Sequence, residues 1–265
     1  MRSLGTDRSL LFVPGTRPDR FDKALASGAD RVILDLEDAV APDDKAAARA
    51  AIVCWLKPEH AVLLRINGAT TPWFMEDLAI ARLCGIAAIL LPKAESAAEI
   101  AAVGQSAPVI PIIETARGFT ARQEVAGAPG VCRLAFGSID FMADLGIPED
   151  VPGVLDSVRF ALVLASRLAG LVPPIDGVTQ AFEEAATAEA VLRARAFGFG
   201  GKLCIHPRQV AAVNAGFAPS PDEVDFARRV VARAAQEAVF ALDGRMVDAP
   251  VILQARQTLA RAARD

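Results

Sequence analysis

Short runs of β-branched and aliphatic residues alternate with longer alanine-rich segments about eight times along the chain. This rhythm leaves few folds open. A short apolar run, a helix-length segment and another short apolar run form the pattern of parallel strands joined by crossover helices. Strands are expected at 9–13, 31–36, 61–66, 87–91, 109–113, 132–136, 171–175 and 202–205. A chain of 265 residues suits one α/β domain, a (β/α)8 TIM barrel, whose usual size is about 250 residues. Eight units are used up by about Gly216, so 1–216 is expected to be the barrel. The remaining 217–265 is expected to be a C-terminal helical extension, a lid or subunit-bridging arm rather than an independent domain.

Local signals place the helices. Leu155, Val158, Leu162, Ala165 and Leu168 recur at spacings of three and four, which makes one apolar stripe for packing on a sheet. Ser220-Pro221-Asp222-Glu223 joins a capping-box serine and glutamate to a first-turn proline, and Thr71-Pro72 reads as an N-cap of the same kind. In the extension, 221 to about 242 reads as one helix, Asp243-Gly244 as a turn, and the stretch after Pro250 as a final helix.

Composition excludes several classes of function. Hydrophobic residues make up 53% of the chain, but the surplus is mostly alanine, and no uninterrupted apolar run is long enough to span a membrane. A net charge of −4 with acids and bases interspersed offers no basic stripe for nucleic acid. Cys54, Cys84, Cys132 and Cys204 are widely separated and form no CxxC pair, and the chain has two histidines. A zinc site is therefore not expected. Free thiols and the lack of a long apolar stretch at the N-terminus point to a reducing cytoplasm.

The candidate chemistry sits where strands end. Val109-Ile110-Pro111-Ile112-Ile113 stops at Glu114, and the next run, Cys132 to Phe136, leads through Gly137-Ser138-Ile139 to Asp140. As neighbouring parallel strands, they would bring both carboxylates to one rim, where they can share a hard cation. The second strand ends in Asp35-Leu36-Glu37-Asp38, with Lys45 and Arg49 in the next helix. Three acids so close repel one another unless a cation or donor is nearby. Either they hold metal-bound waters or an arginine, or they form a capping and salt-bridge cluster with Lys45 and Arg49.

Arg65 in Leu63-Leu64-Arg65-Ile66-Asn67 is costly to bury without a carboxylate, for which Glu37 is a candidate, or a ligand anion. Lys93 could act as a Schiff-base nucleophile, but Glu95 and other nearby acids are expected to keep it charged. Arg17 and Arg20, after the Pro14-Gly15 turn, are candidates for binding phosphate or carboxylate, or sit in a solvated loop. His206-Pro207 offers a catalytic base or, more simply, a cap for the following helix.

Together the motifs resemble a known family. LFVPG, VILDLEDAV, LRIN, LLPKAE, PIIET, FGSIDF, GFGGKLCIHPRQ, FAPSPDE and RMVDAP are similar, in order, to the citrate lyase β-subunit-like branch of the HpcH/HpaI aldolases, which includes malyl-CoA and citramalyl-CoA lyases. The resemblance implies a Mg²⁺-dependent lyase that cleaves or forms a carbon–carbon bond in a 3-hydroxyacyl-CoA thioester, with a small 2-oxo acid as the other partner. It implies that Glu114 and Asp140 hold the metal. Arg65 is expected to contact substrate, with Glu37 and Asp38 behind it. It also implies that Asp248 lies in a segment covering a neighbouring subunit's site, within a homotrimer or hexamer. A malyl-CoA thioesterase, or a citrate lyase β subunit acting on an acyl-carrier-protein thioester, are the alternative outcomes. One departure is plain: many relatives carry an acid just before the metal aspartate, where this chain has Ile139.

Overall fold

The computed structural model describes residues 4–151 and 153–263. Eight parallel strands close into a barrel in chain order: β1 Ser9–Pro14, β2 Arg31–Asp35, β3 Val62–Arg65, β4 Ile86–Leu91, β5 Val109–Ile113, β6 Ala135–Phe136, β7 Ile175–Asp176 and β8 Gly201–Cys204, the last pairing with β1. The helices of this unit are α1 Phe21–Leu25, α2 Lys45–Trp55, α3 Phe74–Ile80, α4 Ala97–Gly104, α5 Ala116–Thr120, α6 Arg122–Gly127, α7 Ser138–Leu145, α8 Asp156–Leu168, α9 Glu184–Phe197 and α10 Arg208–Phe217. Among the described residues, no helix is long and apolar enough to cross a membrane.

Strand periodicity explains the core. Leu10, Ile33, Leu63, Ala88, Leu90, Ile110, Ile112, Ala135, Ile175 and Leu203 pack together as one cluster, with one or two residues from every strand. On β4 and β5 these residues alternate with Ile89, Leu91, Val109 and Ile113, which are also buried. Both faces of each strand are thus covered, and that is why the strands read as continuous apolar runs. Each fully buried Leu or Ile side chain contributes roughly 1.5–3 kcal/mol of transfer free energy.

β6 and β7 are shorter than expected. Pro173 and Pro174 cannot donate to a ladder, so β7 begins only at Ile175. Thr71 does not cap α3; its hydroxyl donates to Gly68 O in the preceding turn, and the helix begins at Phe74. In α8, Val158, Leu162 and Ala165 are buried as expected and so is Leu155 just before it, but Leu168, the last residue of the helix, is 67% exposed. The expected stripe began after Pro152, which lies outside the described residues.

The chain divides into two compact units, Met1–Asn214 and Ala215–Asp265. The second holds α11 Pro221–Arg233, the antiparallel pair β9 Phe240–Leu242 and β10 Arg245–Val247, and α12 Ala249–Ala262. Ser220 and Glu223 form the expected capping box on α11. The helix stops at Arg233 rather than near 242, and a hairpin follows it. Asp243 at φ 51° and Gly244 at φ 72° supply the two left-handed residues that a tight two-residue hairpin turn requires. Ala227, Val230, Phe240, Val247 and Ala255 form a small core of their own.

Candidate active site at the C-terminal rim of the barrel

Strand register assembles the site. Asp35 ends β2 and lies opposite Arg65, the last residue of β3. The guanidinium grips the Asp35 carboxylate twice, Nε to Oδ1 and Nη2 to Oδ2, both at 2.7 Å. Its Nη1 lies 2.9 Å from Glu37 Oε2 and 3.5 Å from Asp38 Oδ2, and the Phe12 ring lies 4.7 Å from the guanidinium carbon. Burial disfavours the charge on Arg65, but the bond to Asp35 and the charges of Asp35, Glu37 and Asp38 more than offset it and raise the pKa. Arg65 is therefore a fixed cation. The Asp35 contact was hidden in the sequence because it depends on which residues the register pairs.

Glu37 is held from two sides. Its Oε1 accepts from Lys93 Nζ at 2.7 Å, opposite the Arg65 contact. Burial raises its pKa, and Arg65 and Lys93 pull the other way. Lys93 stays protonated: burial would lower its pKa, but the bond to Glu37 and the charges of Glu37, Glu114 and Asp38 raise it. That charge opposes a Schiff-base role, which needs a neutral amine. Glu95, expected to share this task, instead accepts from Thr115 Oγ1 at 2.9 Å and pairs with Arg117.

Lys93 also has φ +47°, the left-handed conformation that costs a non-glycine residue about 1–2 kcal/mol. Its backbone N–H donates to Glu114 Oε1 at 2.7 Å. Glu114 follows β5 directly and is buried. Burial, with Glu37 and Asp140 nearby, pushes its carboxyl up to about 8. Ile113 pairs with Phe136 across β5 and β6, so Glu114 and Gly137 lie side by side. A Cβ at Gly137 would overlap both Glu114 Cβ and Oε2, so no other residue fits there without moving that carboxylate. Asp140 stands in the first turn of α7.

Asp35, Arg65, Glu114 and Asp140 line one cavity of about 370 Å³. Three carboxylates and one guanidinium leave it two charges in deficit, and a buried acid beside two others is the environment a divalent cation relieves. No group of three or more His, Cys, Asp or Glu side chains arranged for a metal exists among the described residues. With Asp35 gripped by Arg65, Glu114 and Asp140 are two hard oxygen donors open to a cation that keeps its other positions for water or ligand.

Other expectations resolve differently. Lys45 is buried and donates to Leu36 O, Glu37 O and Asn67 Oδ1, so it fixes the loop after β2 rather than pairing with its acids. Arg49 pairs with Asp77 and Glu76. Arg17 is bound to the exposed Asp19 by two 2.9 Å bonds, and Arg20 is exposed beside it. His206 Nδ1 accepts from Arg208 N, a cap for α10. The four cysteines are free, and burial raises the Cys132 thiol to about 11 and the Cys204 thiol to about 12, so neither is a ready nucleophile. Asp248, in the second unit, caps α12 by accepting from Val251 N.

Residues 8–207 match the family model described as HpcH/HpaI aldolase/citrate lyase. The chain is 37% identical over 271 residues to a (3S)-malyl-CoA thioesterase of Cereibacter sphaeroides, covering 96% of this chain and 94% of that protein. It is 38% identical over 261 residues to a citrate lyase subunit beta-like protein of Mycobacterium tuberculosis, covering 95% and 94%. The crystal structure of CitE from M. tuberculosis in complex with magnesium, acetoacetate and coenzyme A superposes with a TM-score of 0.87 at 36% identity, covering 98% of this chain and all of that one. The barrel, the paired carboxylates on its rim and these matches along nearly the whole length lead to one assignment: the chain belongs to the HpcH/HpaI aldolase/citrate lyase family.

Proposed function

We propose that the protein is a Mg²⁺-dependent CoA-ester lyase that cleaves or forms the C2–C3 bond of a 3-hydroxyacyl-CoA such as malyl-CoA or citramalyl-CoA. The observation that carries this reading is the single cavity in which Glu114, Asp140 and a pre-positioned Arg65 converge. Glu114 and Asp140 would hold Mg²⁺. When bound, the ion supplies Lewis-acid neutralisation of the carboxylate and adjacent oxygen of a 2-hydroxy or 2-oxo acid.

The chain's own residues supply the rest. Asp35 and Glu37 hold the Arg65 guanidinium still, so its charge and the second N–H of Nη2 are available to a developing enolate oxygen without reorganisation. Lys93 orients Glu114 through its backbone and Glu37 through its side chain. Asp248 is the candidate acid/base, delivered by the C-terminal unit of a neighbouring copy in a homotrimer or hexamer. Arg17 and Arg20 are candidates for the CoA phosphates.

Likeness to a malyl-CoA thioesterase favours a second reading, hydrolysis of the thioester on the same scaffold. Likeness to a citrate lyase beta-like protein favours a third, a subunit acting on an acyl-carrier-protein thioester. Incubation with malyl-, methylmalyl- and citramalyl-CoA and Mg²⁺ separates them. A 2-oxo acid with acetyl-CoA or propionyl-CoA supports the lyase, and free hydroxy acid with CoA supports the thioesterase. Inactivity on every CoA ester, with turnover of the carrier-protein thioester, supports the third.

A further inference from the structure

One buried amide outside the cluster of charges holds two of the cavity's walls. Gln209, in the first turn of α10, is 1% exposed. Its Oε1 accepts from Ile205 N at 2.9 Å and His206 N at 3.2 Å, and its Nε2 donates to Thr179 O at 2.8 Å and Ala181 O at 3.1 Å. A primary amide has two donor hydrogens and an oxygen with two lone pairs, so its capacity is filled. The acceptor side ties down the loop after β8, and the donor side the loop after β7. Phe182 and His206 repeat the tie, with ring centres 5.0 Å apart.

The two gripped carbonyls flank one residue. Gln180 lies between Thr179 and Ala181 and lines the catalytic cavity, as does Ile205 from the other loop. Gln180 also borders an adjoining cavity of about 580 Å³, so it stands where the two spaces meet. The near end of its loop is fixed as well: the buried Lys202 donates to Gly177 O at 2.6 Å and to Asp176 Oδ2 at 2.8 Å. Backbone on both sides of Gln180 is thus held, whereas its own side chain is exposed and has no hydrogen-bond partner among the described residues. A polar side chain left unengaged on a backbone pinned in three places is pre-organised to meet a ligand.

We propose that Gln180 hydrogen-bonds an uncharged polar group of the bound thioester, and that Gln209 is the positioning residue that holds it there. The inference rests on the rim as the site at which a CoA thioester is turned over, by cleavage or by hydrolysis. A neutral amide suits a carbonyl, amide or hydroxyl that the metal and Arg65 leave unmatched. Such a contact, away from the bond that breaks, is made equally in the ground and transition states. Its loss raises KM and leaves kcat unchanged.

Steady-state kinetics with malyl-CoA and citramalyl-CoA, and calorimetric titration with Mg²⁺, test this on Gln180→Ala, Gln209→Glu and the double variant. Gln209→Glu keeps the oxygen that holds Ile205 and His206 and loses the donors to Thr179 and Ala181, so it frees the β7 loop alone. Each single variant should raise KM about three- to tenfold, the size of one neutral hydrogen bond, with kcat and Mg²⁺ affinity within about twofold of wild type. The double variant should be no worse than Gln180→Ala, because both substitutions remove one contact. Gln209→Asn, too short to reach both loops, takes its place where the glutamate variant does not fold. An unchanged KM in Gln180→Ala, multiplied losses in the double variant, or a fall in kcat at unchanged KM overturns the inference alone. No turnover of either thioester by the wild-type protein overturns the CoA-ester reading and the inference with it.

Discussion

Glu114 shows how far one residue can be read before the fold is known. Its place at a strand end was legible in the sequence, as was its pairing with Asp140 across adjacent strands. The shift of its carboxyl to about 8 was not, because it arises from burial and from Glu37, which approaches from another strand end. The folded pKa lies above the ordinary 4.5, so the folded state binds more protons than the unfolded state between those values. Stability from this group is present below about pH 4.5 and is lost as pH rises toward 8. Without divalent metal, the protein should lose roughly 3–5 kcal/mol across that window. Glu114→Gln should flatten the loss, and the thermal shift produced by Mg²⁺ should grow with pH in the wild type only; differential scanning calorimetry from pH 5 to 8 reads all three. Arg65 makes a related point. Its need for a carboxylate was readable from one charged residue in an apolar strand, and Glu37 was a partner the sequence could suggest. Arg65→Lys keeps the charge but loses the two-pronged grip on Asp35, so kcat should fall about a hundredfold or more with little change in Mg²⁺ affinity.

At the level of elements, the strands were legible because each is buried on both faces and announces itself as an apolar run. Irregular pieces were less so. The pair β9 and β10 has three residues per strand and follows a helix whose alanine-rich pattern continues past Arg233, so periodicity extended the helix through it. The Asp243-Gly244 turn was the surviving signal. Lys45 shows the same limit in the loops: its partners are two carbonyls and an amide oxygen, groups that leave no charge pattern to read. Asp248 caps α12, and substitution can separate that observed role from the acid/base role proposed for it. As the cap of α12 it should tolerate asparagine, which caps well, while alanine should cost about 1 kcal/mol of stability. As an acid/base it should tolerate neither. Asp248→Asn is therefore expected to keep the melting temperature and lose most of kcat; full activity in that variant would remove Asp248 from the chemistry.

On the scale of the whole molecule, the βα rhythm determined the closed barrel, and the barrel determined where function could sit. Ordered pairing from β1 to β8 turns separate strand ends into one rim, so acids and cations far apart in the chain meet there. The floor is held differently. Arg133 donates to the carbonyls of Leu4, Asp7 and Pro173, and Asp7 pairs with Arg31, which ties the N-terminal segment to the barrel. None of this could be read from composition, because carbonyl partners leave no charge pattern to reveal them. The reaction proposed for this rim is cleavage of a carbon–carbon bond with a metal held by Glu114 and Asp140. Mass analysis of the products of citramalyl-CoA tests it most directly, with Mg²⁺, with chelator, and with Glu114→Gln. Acetyl-CoA and pyruvate in equal amounts with Mg²⁺, and in neither of the other two reactions, is the predicted result. Citramalate and free CoA as the only products, or cleavage undiminished in the chelated or Glu114→Gln reactions, would contradict it.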